Sequence, residues 1–100
     1  MQSAVYHGIG DIRNEERPRP EVGPGEALLR VGAAGICGTD VRIFANGHPR
    51  IPAGTSRVLG HELAGEIAEL GEGVTHLKAG MRVGIAPNMG CGVCTQCVAG

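Results

Sequence analysis

Three cysteines near the end of the sequence, Cys91, Cys94 and Cys97, are separated from one another by two residues each. This spacing lets backbone turns aim several sulfur atoms at one point, and a tetrahedral zinc ion takes four ligands of this kind. We therefore expect irregular, turn-rich structure from Pro87 onward. The spacing leaves open two alternatives, an iron–sulfur cluster and thiols that hold no metal.

Turn-forming residues limit the length of regular elements in the rest of the chain. Glycine occupies 18 positions and proline 6, whereas Tyr6 and Phe44 are the only aromatic residues. This combination predicts short strands joined by tight turns. A hydrophobic content of 42% can supply one core of ordinary size, so residues 1–100 are expected to form a single domain.

Charge and hydropathy narrow the range of partners. Nine basic and ten acidic residues give a net charge of −1, so no surface for nucleic acid or an anionic membrane is expected. The sequence has neither a signal-peptide pattern at its start nor the roughly 20 apolar residues that span a bilayer. We expect a cytoplasmic protein, in which cysteines serve as metal ligands more often than as disulfides.

Hydrophobic alternation and turn residues predict an all-β fold with one or two short helices. The predicted strands cover residues 3–7, 11–17, 27–36, 63–70 and 81–85. In the third of these, one face is formed by Ala27, Leu29, Val31 and Ala33.

A short helix is predicted over residues 39–45, where no strand pattern is found. Thr39 or Asp40 is its expected N-cap, and Asn46-Gly47 is expected to end it. Residues 48–57 contain two prolines and a glycine, so they are predicted to form a loop.

A second group of metal-binding residue types lies in the middle of the chain. Cys37 follows a predicted strand, and His61 and Glu62 precede another. A single histidine beside a strand is usually not a ligand, but here glycines flank both Cys37 and His61, a carboxylate adjoins the histidine, and a second metal loop follows. Thiolate and imidazole suit zinc, and three protein ligands leave a position open for water or substrate. This group is therefore a candidate catalytic zinc site.

Three motifs together resemble the zinc-dependent medium-chain alcohol dehydrogenase family. They are Cys37-Gly38-Thr39-Asp40, the Gly60-His61-Glu62 signature continued by Gly65, Gly71 and Val74, and the segment 90–97 with its three cysteines. Their order and spacing match from about Pro24 to residue 100. Within that family, the motifs are most similar to those of sorbitol, threonine and other polyol dehydrogenases.

The resemblance implies a GroES-like barrel that forms the N-terminal catalytic part of such an enzyme. The nucleotide-binding Rossmann domain would lie outside this chain, so the isolated 100 residues are expected to be inactive. The complete protein would oxidise a small-molecule alcohol (a polyol, sugar alcohol or amino alcohol) by hydride transfer to NAD or NADP. It would contain catalytic and structural zinc and form a homodimer or homotetramer. The alternative is a non-catalytic zinc-binding or assembly module on the same fold.

The resemblance also implies a role for each residue of the motifs. Cys37 and His61 would bind the catalytic zinc, and Glu62 would be either a third ligand or a neighbour that approaches the metal during water exchange. Thr39 would take the proton of the substrate hydroxyl, and Asp40 would orient His61 through its second ring nitrogen. The structural zinc would be held by Cys91, Cys94, Cys97 and a fourth cysteine beyond residue 100.

The sequence departs from the family pattern at several positions. Arg42 occupies the place of the family's relay histidine, and an arginine cannot act as a base. Met81 occupies the place of an aspartate in a Gly-Asp-Arg-Val turn. No dinucleotide-binding fingerprint is present, because a third glycine is missing after each of the pairs Gly8/Gly10, Gly71/Gly73 and Gly90/Gly92.

The remaining basic residues and histidines have no pattern that assigns them a role. Arg50 and Arg57 flank the predicted loop and are expected either to be solvated or to touch an acidic or phosphorylated substrate. The histidines outside the candidate site are expected to be exposed, without partners: His7, His48 and His76.

Overall fold

The computed structural model describes all 100 residues and contains six strands and two helices. The strands are β1 (Gln2–Gly8), β2 (Asp11–Glu16), β3 (Ala27–Gly35), β4 (Arg57–Val58), β5 (Glu62–Leu70) and β6 (Arg82–Gly84). The helices are α1 (Gly38–Asn46) and α2 (Thr95–Ala99). Neither helix is long and apolar enough to cross a membrane. The predicted class, mostly strands with two short helices, is confirmed.

The first sheet has the strand order β2-β1-β4 and carries three of the five buried residues, Ser3, Val5 and Tyr6 of β1. Ile43 of α1 is also buried. The turn between β1 and β2 is joined to the helix by a hydrogen bond of 2.8 Å from the backbone N–H of Gly10 to the carbonyl oxygen of Phe44. The helix that follows Cys37 is therefore held against this sheet.

The second sheet has the order β3-β5-β6, with β3 and β5 antiparallel along most of their length. Two irregularities interrupt the register of β3, between Leu28 and Leu29 and between Val31 and Ala33. The half-buried face predicted for this strand is wrong: Leu29 is partly buried, but Ala27, Val31 and Ala33 are exposed. All residues from Arg30 to Gly35 are exposed, so no other element covers either face of this part of the strand.

Several boundaries also differ from the prediction. Helix α1 begins at Gly38 and is capped by Cys37, not by Thr39 or Asp40. Strand β4 was not predicted and lies at the end of the predicted loop. A strand of two residues is too short to show a periodic pattern in the sequence. Helix α2 lies within the cysteine-rich segment that was expected to be irregular, and β6 is shorter than predicted.

The prediction that the histidines outside the site are exposed holds for two of the three. His48 and His76 are exposed. His7 is partly buried, and its Nε2 lies 2.5 Å from Oε1 of Glu15 on the adjacent strand. The prediction for His7 is wrong because the β1–β2 pairing brings a carboxylate to it, which sequence spacing did not reveal.

Candidate metal centres

The pairing of β3 with β5 brings the two halves of the first candidate site together. Gly35, the last residue of β3, is the register partner of Glu62, the first residue of β5. Cys37 follows Gly35 by two residues, and His61 directly precedes Glu62. Two sequence segments about 24 residues apart therefore meet at the same end of the second sheet.

The structure places three potential ligand atoms of this site close to one another. The Sγ atom of Cys37 lies 3.1 Å from Nε2 of His61. The ligand atoms of Cys37, His61 and Glu62, here called the first cluster, all lie within 4.8 Å of one another. Cys37 and His61 are partly buried and Glu62 is exposed. A metal ion at this point would be reachable from solvent on one side.

Asp40 connects helix α1 to the first cluster. Its Oδ2 atom accepts a hydrogen bond of 3.0 Å from the backbone N–H of Cys37. Its Oδ1 atom lies 3.8 Å from Nδ1 of His61, on the ring nitrogen opposite the one that faces Cys37. The Asp40 side chain is only 12% exposed. One carboxylate thus fixes the helix start and faces the second nitrogen of the imidazole.

Two glycines allow the backbone to approach this site. Gly60 has a φ of +111°, which L side chains rarely adopt, so the turn into His61 favours glycine. A Cβ atom at Gly35 would lie 3.0 Å from Oε2 of Glu62. The packing role of Gly35 depends on the β3–β5 register, so the sequence showed only that a glycine precedes each ligand segment.

The cysteine cluster, Cys91, Cys94 and Cys97, surrounds the start of helix α2. The Sγ atom of Cys97 lies 3.4 Å from that of Cys94 and 3.9 Å from that of Cys91. All three sulfur atoms lie within 4.8 Å of one another, and none forms a disulfide. The structure therefore brings together the three cysteines predicted to share one metal.

Backbone geometry prepares this cluster for a cation. Backbone N–H groups of Val93 and Cys94, followed by the neighbouring thiols, lower the pKa of the Cys91 thiol to about 7. A Cβ atom at Gly90 would lie only 2.6 Å from Sγ of Cys97, and Gly92 has a φ of +76°. Both glycines thus permit a tight loop, which the sequence analysis had treated only as a turn.

The donor atoms of both clusters fit zinc. Ligand bonds of 2.0–2.3 Å in a tetrahedral site place neighbouring ligand atoms about 3.3 to 3.8 Å apart. The separations of 3.1 Å between Cys37 and His61 and of 3.4 and 3.9 Å among the cysteines are close to that range. Sulfur and imidazole nitrogen are also the donors that favour zinc over magnesium or calcium.

Thr39 and Arg42 lie on α1, the helix that begins next to Cys37. The backbone N–H of Thr39 donates a 3.2 Å hydrogen bond to Sγ of Cys37. The Thr39 side chain is exposed, as is that of Arg42. The structure thus gives Thr39 a backbone contact with the cluster, while the proton-transfer role of its hydroxyl stays a prediction.

A strand-rich domain with one mixed Cys/His/Glu cluster and one three-cysteine cluster defines a class of metal-binding β domains. The alcohol dehydrogenase GroES-like domain family matches residues 23–100 of the chain. The chain belongs to this family.

Individual relatives agree with this assignment. The chain is 47% identical over 88 residues to sorbitol dehydrogenase of Gallus gallus, which covers 87% of this chain and 25% of that protein. A zinc-dependent alcohol dehydrogenase 2 from Streptococcus pneumonia superimposes with a TM-score of 0.83 at 33% identity, covering 99% of this chain and 28% of that one. An alcohol dehydrogenase from E. coli CFT073, solved with NADH, gives a TM-score of 0.84 at 34% identity, with coverages of 99% and 28%. The chain thus spans about a quarter of the length of the relatives that it matches.

Proposed function

We propose that this chain is the GroES-like part of a zinc-dependent dehydrogenase that oxidises an alcohol by hydride transfer to NAD or NADP. The observation that carries the proposal is the first cluster, together with Asp40 on the opposite ring nitrogen of His61. Its three protein donors leave a coordination position for a substrate oxygen. The similarity to a sorbitol dehydrogenase and to a zinc-dependent alcohol dehydrogenase supports this chemistry.

In this proposal Cys37, His61 and Glu62 hold the catalytic zinc. When bound, zinc supplies Lewis acidity, which lowers the pKa of an alcohol hydroxyl. Thr39 accepts the hydroxyl proton, and Asp40 holds the imidazole of His61 in one tautomer and orientation. A threonine hydroxyl relays a proton, donating its own as it accepts another, and Arg42 cannot act as a base. The proton therefore leaves Thr39 through water.

The cysteine cluster holds a second, structural zinc with a further ligand from outside these 100 residues. The nicotinamide cofactor is bound by residues that also lie outside this chain, because no phosphate-binding fingerprint is present. The structure of a relative with NADH supports a nicotinamide acceptor. We further propose a cytoplasmic homodimer or homotetramer that acts on a polyol, sugar alcohol or amino alcohol.

Replacing the sulfur ligand of the first cluster tests this proposal. In the complete enzyme that carries this chain, Cys37→Ser is expected to lower kcat by more than about 100-fold, because loss of a direct ligand exceeds the effect of outer partners. The matched control is Cys94→Ser, which removes the same atom from the cysteine cluster. Steady-state NAD(P) reduction and zinc content are measured for both. Full turnover in Cys37→Ser would identify a non-catalytic zinc-binding module instead.

A further inference from the structure

Apart from Asp40 near its start, the segment between the two parts of the first cluster carries only positive charge. Residues 41–60, here called the arginine segment, contain Arg42, Arg50 and Arg57 and no aspartate or glutamate. The chain as a whole has a net charge of −1. A region of opposite sign to the whole chain thus lies between Cys37 and His61.

The arginines of this segment have no acidic partners in the structure. All four arginines that precede Cys37 form ion pairs, namely Arg13 with Asp11, Arg17 with Glu15, Arg19 with Glu69, and Arg30 with Glu66. Neither Arg42, Arg50 nor Arg57 forms one. The acidic residues that border the segment are already engaged, Asp40 with Cys37 and Glu62 with the first cluster. The three positive charges are therefore not neutralised within the chain.

Arg42 lies on the same helix face as Thr39. Residues three apart on a helix are neighbours on its surface, and they are separated by about 4.5 Å along the axis. Thr39 in turn contacts Cys37 through its backbone. Arg42 thus lies on the helix whose first turn contacts Cys37, and its side chain is exposed.

The other two arginines lie on the path from α1 back to His61. A turn closed by a 2.9 Å hydrogen bond from the N–H of Ile51 to the carbonyl oxygen of His48 presents Arg50 in solvent. Arg57 is paired with Tyr6 in the first sheet. His61 follows it by four positions, a span of at most about 14 Å even in an extended chain. Arg57 is therefore held by a strand close to the first cluster.

We infer that the alcohol substrate carries an anionic group, a phosphate monoester or a carboxylate, that the arginine segment binds. This inference rests on the proposed dehydrogenase function. Guanidinium groups bind both anions through paired hydrogen bonds. Uncompensated positive charge beside a site also raises the local concentration of anionic ligands. The anion is bound at one end of the substrate while its hydroxyl reaches the first cluster.

Steady-state kinetics of the complete enzyme test this inference. The substrates are a neutral sugar alcohol, its phosphate monoester and the corresponding sugar-acid carboxylate. The kcat/KM for an anionic substrate is expected to exceed that for the neutral one by at least about tenfold, a preference worth about 1.4 kcal/mol. This preference should decrease as the salt concentration rises.

Two variants and one control test whether the arginine segment causes the preference for anionic substrates. In Arg50→Gln and Arg57→Gln, the ratio of kcat/KM for the anionic substrate to that for the neutral one is expected to fall about tenfold. The matched control is Arg82→Gln, which removes an equal charge from an exposed arginine without an ion pair in β6. Its ratio is expected to stay within about twofold of the unchanged enzyme, because Arg82 lies outside the arginine segment and its exposed charge is screened by salt.

The possible outcomes separate this inference from the function on which it rests. Equal use of neutral and anionic alcohols, or an equal loss in Arg82→Gln, overturns the anionic substrate but leaves the dehydrogenase intact. If the arginine variants raise only the KM of NAD or NADP, the anionic substrate is overturned as well. The anion bound by the arginine segment would then be a phosphate of the cofactor. No turnover of any alcohol refutes the dehydrogenase and this inference together.

Discussion

Asp40 contributes to both the local fold and the first cluster through two different oxygens. Oδ2 accepts a hydrogen bond from the backbone N–H of Cys37. Cys37 in turn caps the helix, because its Sγ accepts a hydrogen bond from the backbone N–H of Thr39. Oδ1 faces Nδ1 of His61. A carboxylate in this position fixes the ring orientation and makes the facing nitrogen a better metal ligand. The cysteine and the aspartate three residues later form a reciprocal cap of the kind usually built from serine and glutamate.

Removal of this carboxylate is expected to weaken the metal site and the helix together. Asp40→Ala should lower zinc affinity at the first cluster by about 10- to 100-fold and the free energy of unfolding by about 1 kcal/mol. Asp40→Asn is the control, because its side chain retains an acceptor for the N–H of Cys37. Zinc competition against a chelating dye and urea denaturation measure the two effects. Unchanged zinc affinity in Asp40→Ala would show that Asp40 does not support His61.

Among the secondary-structure elements, the close pairing of β3 with β5 positions the first cluster. A Cβ atom at Gly65 would lie 2.1 Å from the carbonyl oxygen of Arg30, beside the irregularity in β3. The contacting atom belongs to the backbone and cannot rotate away. The register that joins Gly35 to Glu62 therefore depends on a glycine in the middle of β5.

Gly65→Ala is expected to destabilise the protein by about 3 kcal/mol or more, because the added methyl must displace backbone. The matched control is Gly84→Ala in the neighbouring strand β6, where an added Cβ would meet no atom within 4 Å. Equilibrium urea denaturation compares the two variants with the unchanged protein. Equal stability of the two alanine variants would contradict the close contact.

The β1–β2 hairpin carries a charge network formed by His7, Glu15 and Arg17. The Glu15 carboxylate accepts hydrogen bonds from His7 at 2.5 Å and from Arg17 at 2.9 Å. Mainly through His7, these contacts lower the pKa of Glu15 below its ordinary value of 4.5. A lowered pKa in the folded state stabilises the fold above the unfolded-state value, and this stabilisation is lost as pH falls through the folded value.

Stability is therefore expected to decline below about pH 4.5 more steeply in the unchanged protein than in Glu15→Gln. The neutral amide has no ionised form whose hydrogen bonds could be lost. Denaturant unfolding of both proteins at a series of pH values provides the comparison. Parallel pH profiles would show that Glu15 contributes nothing to this dependence.

The sequence predicted the residues of the first cluster correctly, but it did not predict strand β4 or the burial of strand β3. Cys37, His61 and Glu62 were predicted as a group because residue chemistry and spacing mark them, and the structure brings them together. Strand β4 was missed because two paired residues have no periodicity. The half-buried face predicted for β3 was wrong, because alternation in the sequence does not show which part of a strand another element covers.

At the scale of the whole molecule, the chain has a small buried core. Only five of its 100 residues are buried, and four of these are hydrophobic. A small core leaves little margin after the entropy cost of folding, so bound metal contributes a large share of the stability of such domains. The first cluster joins two segments in the middle of the chain, and the cysteine cluster lies near residue 100. Bound zinc is therefore expected to stabilise the fold as well as to take part in the chemistry.

The most direct measurement is the metal content of the protein purified without added metal or chelator, determined by elemental analysis. The account predicts about two zinc ions per chain, one for each tetrahedral-type cluster. Iron in place of zinc, or a protein with one zinc or none, would contradict it.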